Sequence, residues 1–140
     1  MKVLIDTNVI IDALLGREPF FEHSNKVIQI CAAKKAESYI AAHTVTNLFY
    51  ILRKHFTNDE CRDVILSLFD IFEIVAIDKE NLVRSLNKKN FKDFEDCLQN
   101  ECAMESDVDY IITRNTEDFK NSEIVVLTPL DFCEITEDKE

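Results

Sequence analysis

The chain has 140 residues, of which 46% are hydrophobic and 31% charged, and its formal net charge is −11 at pH 7. These values fit one soluble globular domain that is long enough to bury a core. The sequence shows no signal peptide and no apolar run long enough to span a membrane, so we expect a cytoplasmic protein. One glycine and two prolines exclude a glycine-rich phosphate-binding loop in practice. The acidic charge disfavours a general nucleic-acid binder, but not an enzyme that reaches phosphates through a bound metal and local basic groups.

Five short apolar runs predict β-strands at residues 3–5, 38–41, 72–77, 110–112 and 124–127. Apolar residues at helical spacing predict helices between them, and Pro129 is predicted to open a last short helix. Strands that alternate with helices pair in parallel through right-handed crossovers, so we predict one three-layer α/β domain with a five-stranded sheet. The domain is expected to cover residues 1–133. An acidic tail at 134–140 is expected to fray.

The cysteines form no CxxC motif, and no histidine lies at zinc-finger spacing from them. Most fall on apolar positions of predicted helices, so we predict reduced core thiols at Cys31, Cys61, Cys97, Cys102 and Cys133. The histidines are expected to be structural or exposed. Among them, His43 precedes a predicted helix and is able to line a cleft.

Asp6 ends the first predicted strand and begins the first predicted helix. Ligands of open α/β sheets bind outside the carboxyl ends of the strands, which makes Asp6 a candidate site residue. The alternative is that Asp6, Thr7 or Asn8 only caps the helix, because all three residue types satisfy free N–H groups.

A second polar cluster, at Thr113, Asn115 and Asp118, follows the fourth predicted strand. If strands one and four are parallel neighbours, these side chains share one sheet edge with Asp6. The N-terminus of the helix predicted near residues 93–104 would face the same edge. Carboxylates crowded together repel each other. A divalent ion removes that cost, and hard oxygen ligands suit Mg²⁺ or Mn²⁺.

The helix near residues 93–104 is expected to be amphipathic. Asp93, Asp96 and Asn100 lie opposite its apolar stripe, and we expect that polar face to be solvated. The predicted stripe is Phe91, Phe94, Cys97, Leu98 and Cys102. Acids in the first turn also suit the helix dipole, so periodicity alone gives no reason to bury Asp96.

Four segments occur in this order: IDTNVIID, AAHTVTNLFYIL, FEDCLQNECA and DYIITRNTEDF. Together they resemble the PIN-domain family of metal-dependent ribonucleases, which includes the VapC-type toxins, from Met1 to about Phe132. The resemblance implies a mostly parallel twisted sheet flanked by helices, a three-layer α/β/α fold. It also implies an acidic pocket at the C-terminal edge of the sheet, Mg²⁺ or Mn²⁺ in that pocket, and cleavage of RNA by metal-activated water.

By the same resemblance, the first, third and fourth acids of the family correspond to Asp6, Asp96 and Asp118. These are the predicted catalytic and metal-binding residues. The accompanying polar positions of the family correspond to Asn8, Thr113 and Asn115.

The chain departs from the family pattern at Asn47, where the pattern places a Glu as the second acid. An amide carbonyl is able to coordinate Mg²⁺ or orient a water, but it brings no charge and no base. Asp93 lies one turn before Asp96 and is a further candidate metal ligand, because it would restore an acid.

Arg114 and Arg53 are the predicted RNA-binding residues outside the metal shell. VapC-type relatives form homodimers and are silenced by a small antitoxin, so the resemblance implies an antitoxin partner and a homodimer. An interface is also permitted by apolar residues beyond the needs of one helix face, although core packing explains most of them equally well. They are Phe20, Phe21, Phe49, Tyr50 and Ile51.

Other functions are weaker matches to the residues. A haloacid-dehalogenase-type phosphatase needs a second Asp where Asn8 stands, and a response-regulator receiver domain needs an acidic pair after strand one. A rival of another class stays open, a catalytically weakened PIN module that binds RNA or a protein without cutting. Asn47 favours that rival, whereas the retained acids oppose it.

Overall fold

The structure is a computed structural model that describes residues 1–137. One sheet contains five strands: β1 (Lys2–Ile5), β2 (Glu37–Ala41), β3 (Glu73–Val75), β4 (Tyr110–Ile112) and β5 (Val125–Leu127). Their order is β3-β2-β1-β4-β5, and every neighbouring pair is parallel. The predicted parallel α/β fold is therefore confirmed, with a third strand shorter than the apolar run that predicted it.

Helices follow the strands on both faces of the sheet. They are α1 (Thr7–Leu15), α2 (Phe21–Ala32), α3 (Ala42–Leu52), α4 (Asn58–Leu68), α5 (Lys79–Asn87), α6 (Phe94–Glu105) and α7 (Pro129–Glu137), and a short 3-10 helix spans Thr116–Phe119. Gly16 ends α1 with a φ of 64°, a left-handed conformation that favours glycine. That turn is why the first helix stops before α2.

The strands bury alternate residues against two different helix layers. Val3 and Ile5 belong to a core cluster that includes residues of α1, α2, α3, α4 and α7. Leu4, between them, belongs to a second cluster with residues of α6. The outcome is a three-layer α/β/α domain whose central strand, β1, is buried on both faces.

All five cysteines are buried free thiols, as predicted. Burial raises the pKa of Cys31 and of Cys133 to about 11, so these thiols are protonated at neutral pH. Helix α7 continues through residues 134–137 of the predicted acidic tail, and residues 138–140 of that tail lie outside the described residues. Within residues 1–137, no helix is long and apolar enough to cross a membrane.

The predicted faces of α6 are wrong in part. Phe94, predicted to join the apolar stripe, is 40% exposed, whereas Asn100, predicted to be solvated, is buried. The reason is that the polar residues of α6 find partners inside the protein. Asn100 accepts a hydrogen bond from Ser122, and Glu101 pairs with Arg84 of α5. Buried polar groups of this kind are tolerated because they are hydrogen-bonded.

Candidate active site

Asp6 lies between β1 and α1, at the carboxyl edge of the sheet. Asp6 is only 6% exposed. Its carboxylate accepts hydrogen bonds from the Thr7 backbone N–H at 2.8 Å and from Asn8 Nδ2 at 3.2 Å. It also accepts one from Thr113 Oγ1 at 2.8 Å. Asp6 therefore caps α1 and lies at the sheet edge at the same time. The capping role is confirmed, and the role of Asp6 in a functional site stays a prediction.

The neighbouring strand β4 brings the second polar cluster to Asp6. Ile5 of β1 is paired with Ile112 of β4, which places Thr113 immediately beside Asp6. The Thr113 hydroxyl also accepts hydrogen bonds from Asn8 Nδ2 at 3.3 Å and from the Asn115 backbone N–H at 3.1 Å. The predicted meeting of strands one and four is confirmed, and its centre is the Thr113 hydroxyl.

A cleft of about 420 Å³ opens over this edge, between α1, α3 and the first turn of α6. The predicted residues that line it are Asp6, Asn8, Asn47, Asp96 and Asn115. Residues that the sequence did not single out as site residues also line it, namely Arg17, Glu95 and Gln99. The other two predicted acids, Asp93 and Asp118, line a smaller hollow of about 120 Å³, and Asp96 lines both spaces.

The acids at this edge lie within electrostatic reach of one another. Burial, and then the negative charges of Asp6, Asp93, Asp118 and Glu95, raise the pKa of Asp96 to about 7. Burial also raises the pKa of Asp6, although the hydrogen bonds to its carboxylate oppose the rise. The site therefore contains the crowding of carboxylates that the sequence predicted.

These donors fit a divalent cation by their chemistry. Carboxylate and amide oxygens are ligands that Mg²⁺ prefers. A cation would stabilise the ionised form of Asp96, whose pKa is raised by burial first and by the neighbouring acids second. In the described conformation of residues 1–137, no three side chains of His, Cys, Asp or Glu already converge on one ion position. The acids are thus gathered at one edge without forming a closed cage.

The floor of the cleft ties three helices together. Gln99 of α6, 2% exposed, donates from Nε2 to Thr7 Oγ1 at 3.2 Å and to Thr44 Oγ1 at 2.9 Å. The two hydroxyls also share a hydrogen bond of 2.9 Å. This polar triangle joins the first turns of α1 and α3 to the middle of α6.

Two polar groups at the cleft have no hydrogen-bond partner among the described residues. They are the carbonyl oxygen Oε1 of Gln99 and the ring nitrogens of His43, all inaccessible to solvent. Burial lowers the pKa of His43, which favours the neutral ring. The expectation that His43 lines the cleft is confirmed.

Asn47 contacts an acid that the sequence interpretation missed. Its Nδ2 donates to Glu95 Oε2 at 3.4 Å. Asp93, the candidate replacement acid, is the N-cap of α6 and accepts from the Asp96 backbone N–H at 3.0 Å. A Glu in the first turn of a helix is explained by the helix dipole alone, so no local signal distinguished Glu95.

The two predicted RNA-binding arginines have different surroundings. Arg114 donates to the buried carboxylate of Asp12, and its guanidinium lies 4.3 Å from the ring centroid of Phe20. Arg53 lies 4.2 Å from the ring centroid of Tyr50, which lines the cleft and is 56% exposed. Arg53 therefore contacts a residue that lines the cleft, whereas Arg114 is engaged with the protein interior.

Comparisons with known proteins agree with this architecture. A family profile described as PIN domain matches residues 2–117. Ribonuclease VapC1 of Aquifex aeolicus (strain VF5) is 31% identical over 137 residues, covering 95% of this chain and 94% of that protein.

Two solved structures share the fold. A toxin-antitoxin complex from Klebsiella pneumoniae has a TM-score of 0.69 at 24% identity, covering 91% of this chain and 97% of the matched chain. VapBC-1 from nontypeable Haemophilus influenzae has a TM-score of 0.70 at 14% identity, covering 93% of this chain and 99% of the matched chain. With the profile match and the 31% identical relative, these likenesses lead to one conclusion: the chain belongs to the PIN-domain family.

Proposed function

We propose that this chain is a ribonuclease that hydrolyses RNA phosphodiester bonds with Mg²⁺ or Mn²⁺ and acts as the toxin of a toxin–antitoxin pair. The observation that carries the proposal is the gathering of Asp6, Asp96 and Asp118 at one sheet edge, where burial, and then the charges of the neighbouring acids, raise the pKa of Asp96 to about 7. Support also comes from the 31% identical relative, which is named as a ribonuclease, and from structural neighbours that are toxin-antitoxin complexes.

The ion would be held by Asp6, Asp96 and Asp118. A bound divalent ion lowers the pKa of a water and stabilises negative charge that develops on phosphorus. Asp6 is kept in place by Thr113 Oγ1 and Asn8 Nδ2, at 2.8 and 3.2 Å. Such outer hydrogen bonds orient a ligand and hold its charge where the cation needs it.

The substrate would enter the cleft between α1, α3 and α6. Because the chain carries a net charge of −11, RNA binding depends on local positive charge and on stacking. Arg17 and Tyr50 line the cleft, and Arg53 forms a cation–aromatic pair with the exposed ring of Tyr50. Aromatic rings bind single-stranded bases by stacking with little sequence preference.

The test compares the purified protein with an Asp6→Asn variant on a mixed-sequence RNA, in Mn²⁺, in Mg²⁺ and in EDTA. We expect cleavage by the unmodified protein only with a metal, and a loss of at least about a hundredfold in the variant. Equal cleavage by both proteins, or none by either at high enzyme concentration, would contradict the enzymatic proposal.

We also propose a protein antitoxin as partner and a homodimer as the working state. An apolar groove of about 440 Å³ between α3 and α4, lined by Val45, Phe49, Ile65 and Leu66, supports a protein partner. Expression of the chain alone in a bacterium is expected to arrest growth, whereas expression of the Asp6→Asn variant is not expected to do so.

Analytical ultracentrifugation measures the oligomeric state, and a purely monomeric protein at micromolar concentration would contradict the homodimer.

A second candidate function is a PIN module that binds RNA or a protein without cutting. The neutral side chain of Asn47 in the cleft favours it, because it leaves the site with one fewer carboxylate than the family pattern. Retained RNA binding with no cleavage in either metal is the result that would select this alternative.

A further inference from the structure

We propose that Glu95 supplies the fourth carboxylate of the metal site and provides the negative charge that the neutral side chain of Asn47 lacks. Asn47 then acts as a positioning residue that holds Glu95. This inference rests on the proposed function, because it concerns the same ion as Asp6 and Asp96.

The contact between the two residues is direct. Asn47 Nδ2 lies 3.4 Å from Glu95 Oε2, and both residues line the cleft with Asp6 and Asp96. A carboxylate has two oxygens with several acceptor positions, so accepting one N–H at Oε2 is compatible with binding a cation. Glu95 therefore brings a negative charge to the side of the cleft where α3 contributes the neutral amide of Asn47 and no acid.

Asp93 does not serve this role in the structure. Its Oδ1 accepts the Asp96 backbone N–H at 3.0 Å, which is the N-cap bond of α6. Asp93 lines the neighbouring hollow and is absent from the lining of the cleft. Of these two acids, Glu95 is thus the one that shares the cleft with Asp6.

An independent observation in the same cleft is a buried polar atom without a partner. Gln99 lines the cleft and is 2% exposed, and its Oε1 has no hydrogen-bond partner within residues 1–137. A buried acceptor without a donor is unfavourable, and bound water commonly satisfies such groups. A hydrated cation held by Glu95, Asp6 and Asp96 would bring O–H donors into the cleft.

The experiment measures Mn²⁺ binding directly, by electron paramagnetic resonance of free Mn²⁺ at pH 8. The variants are Glu95→Gln, Asp6→Asn, and the double variant Asn47→Glu with Glu95→Gln. The matched control is Glu22→Gln, because Glu22 is the second residue of α2 and Glu95 the second residue of α6. Circular dichroism melting shows that each variant is folded.

We expect Glu95→Gln to weaken Mn²⁺ binding by about tenfold to a hundredfold and Glu22→Gln to leave it unchanged. The double variant is expected to regain affinity to within about threefold of the unmodified protein, since it only moves the carboxylate across the contact. Recovery of this kind is not expected if Glu95 has a merely structural role.

The outcomes separate this inference from the proposed function. If Asp6→Asn loses Mn²⁺ while Glu95→Gln binds it like the unmodified protein, the inference is overturned and the metal site stands. A double variant that stays as weak as Glu95→Gln would also overturn it. No Mn²⁺ binding by the unmodified protein would overturn both.

Discussion

Arg114 donates two hydrogen bonds to the fully buried carboxylate of Asp12, from Nε at 2.7 Å and from Nη2 at 3.3 Å. The pair connects the segment after β4 to α1, across 102 positions of sequence. Because Arg114 follows Thr113 directly, the ion pair also holds the backbone beside Asp6. It gives Arg114 a structural partner in addition to its predicted contact with RNA.

Removal of Arg114 is expected to leave an uncompensated charge in the core. Arg114→Met should lower the free energy of unfolding by about 3–5 kcal/mol, measured by urea denaturation. Combining it with Asp12→Leu should recover most of that loss, since an apolar pair replaces the ion pair. A loss under about 1 kcal/mol in the single variant would show that Asp12 finds another partner.

The hydroxyl of Thr113 is expected to control metal affinity. Thr113→Val keeps the shape of the side chain but removes the 2.8 Å hydrogen bond to Asp6 Oδ2. We expect a loss of about tenfold to a hundredfold in Mn²⁺ affinity, measured by calorimetry. The control is Thr46→Val, because the Thr46 hydroxyl donates within its own helix, to His43 O at 2.9 Å. Equal effects of the two substitutions would contradict the role given to Thr113.

The metal-free protein is expected to have a pH-dependent stability to which Asp96 contributes. The pKa of this carboxyl is raised from 3.8 to about 7, mainly by burial. The folded state therefore favours the protonated form of Asp96. The stabilising contribution of this carboxyl to the free energy of unfolding is fully present below about pH 4 and is lost as the pH rises through 7.

Comparison with Asp96→Asn isolates this group. In EDTA, the variant should melt a few degrees above the unmodified protein at pH 8 and at the same temperature near pH 4. Saturation with Mg²⁺ should reverse the order at pH 8, because about a hundredfold excess over Kd stabilises the unmodified protein by about 2.7 kcal/mol. An identical pH profile for both proteins in EDTA is the contrary result.

Tyr50 is expected to bind RNA through its exposed ring. Tyr50→Ala, made in the Asp6→Asn background to prevent cleavage, should weaken binding of a single-stranded oligoribonucleotide by about 1–3 kcal/mol. Fluorescence anisotropy measures the affinity. Tyr50→Phe keeps the ring and should bind like the parent. Phe69→Ala, which removes another exposed aromatic ring, should also have no effect.

The architecture was predictable because the informative patterns are local. An apolar run that stops at Asp6, and another that stops at Thr113, predicted two strands that end at one edge. Parallel pairing of β1 with β4 then brought the two side chains to 2.8 Å. The carboxylates and hydroxyls at the edge follow from topology alone.

The rest of the site depends on contacts that periodicity does not encode. Gln99 is buried because two threonine hydroxyls from other helices accept its N–H groups. Glu95 is explained locally by the helix dipole, so its contact with Asn47 was invisible. Asp12 offered a signal that was missed, since a lone charge inside the apolar run IIDALL requires a buried partner.

The polar triangle of Thr7, Thr44 and Gln99 has an evolutionary consequence. Each of these side chains uses the other two as hydrogen-bond partners. A change to an apolar residue at one position therefore leaves the remaining two side chains without one of their partners. We expect the three positions to be inherited as a block in descendants of this chain. Such a block limits which substitutions are tolerated at the residues of the cleft that pack on this triangle.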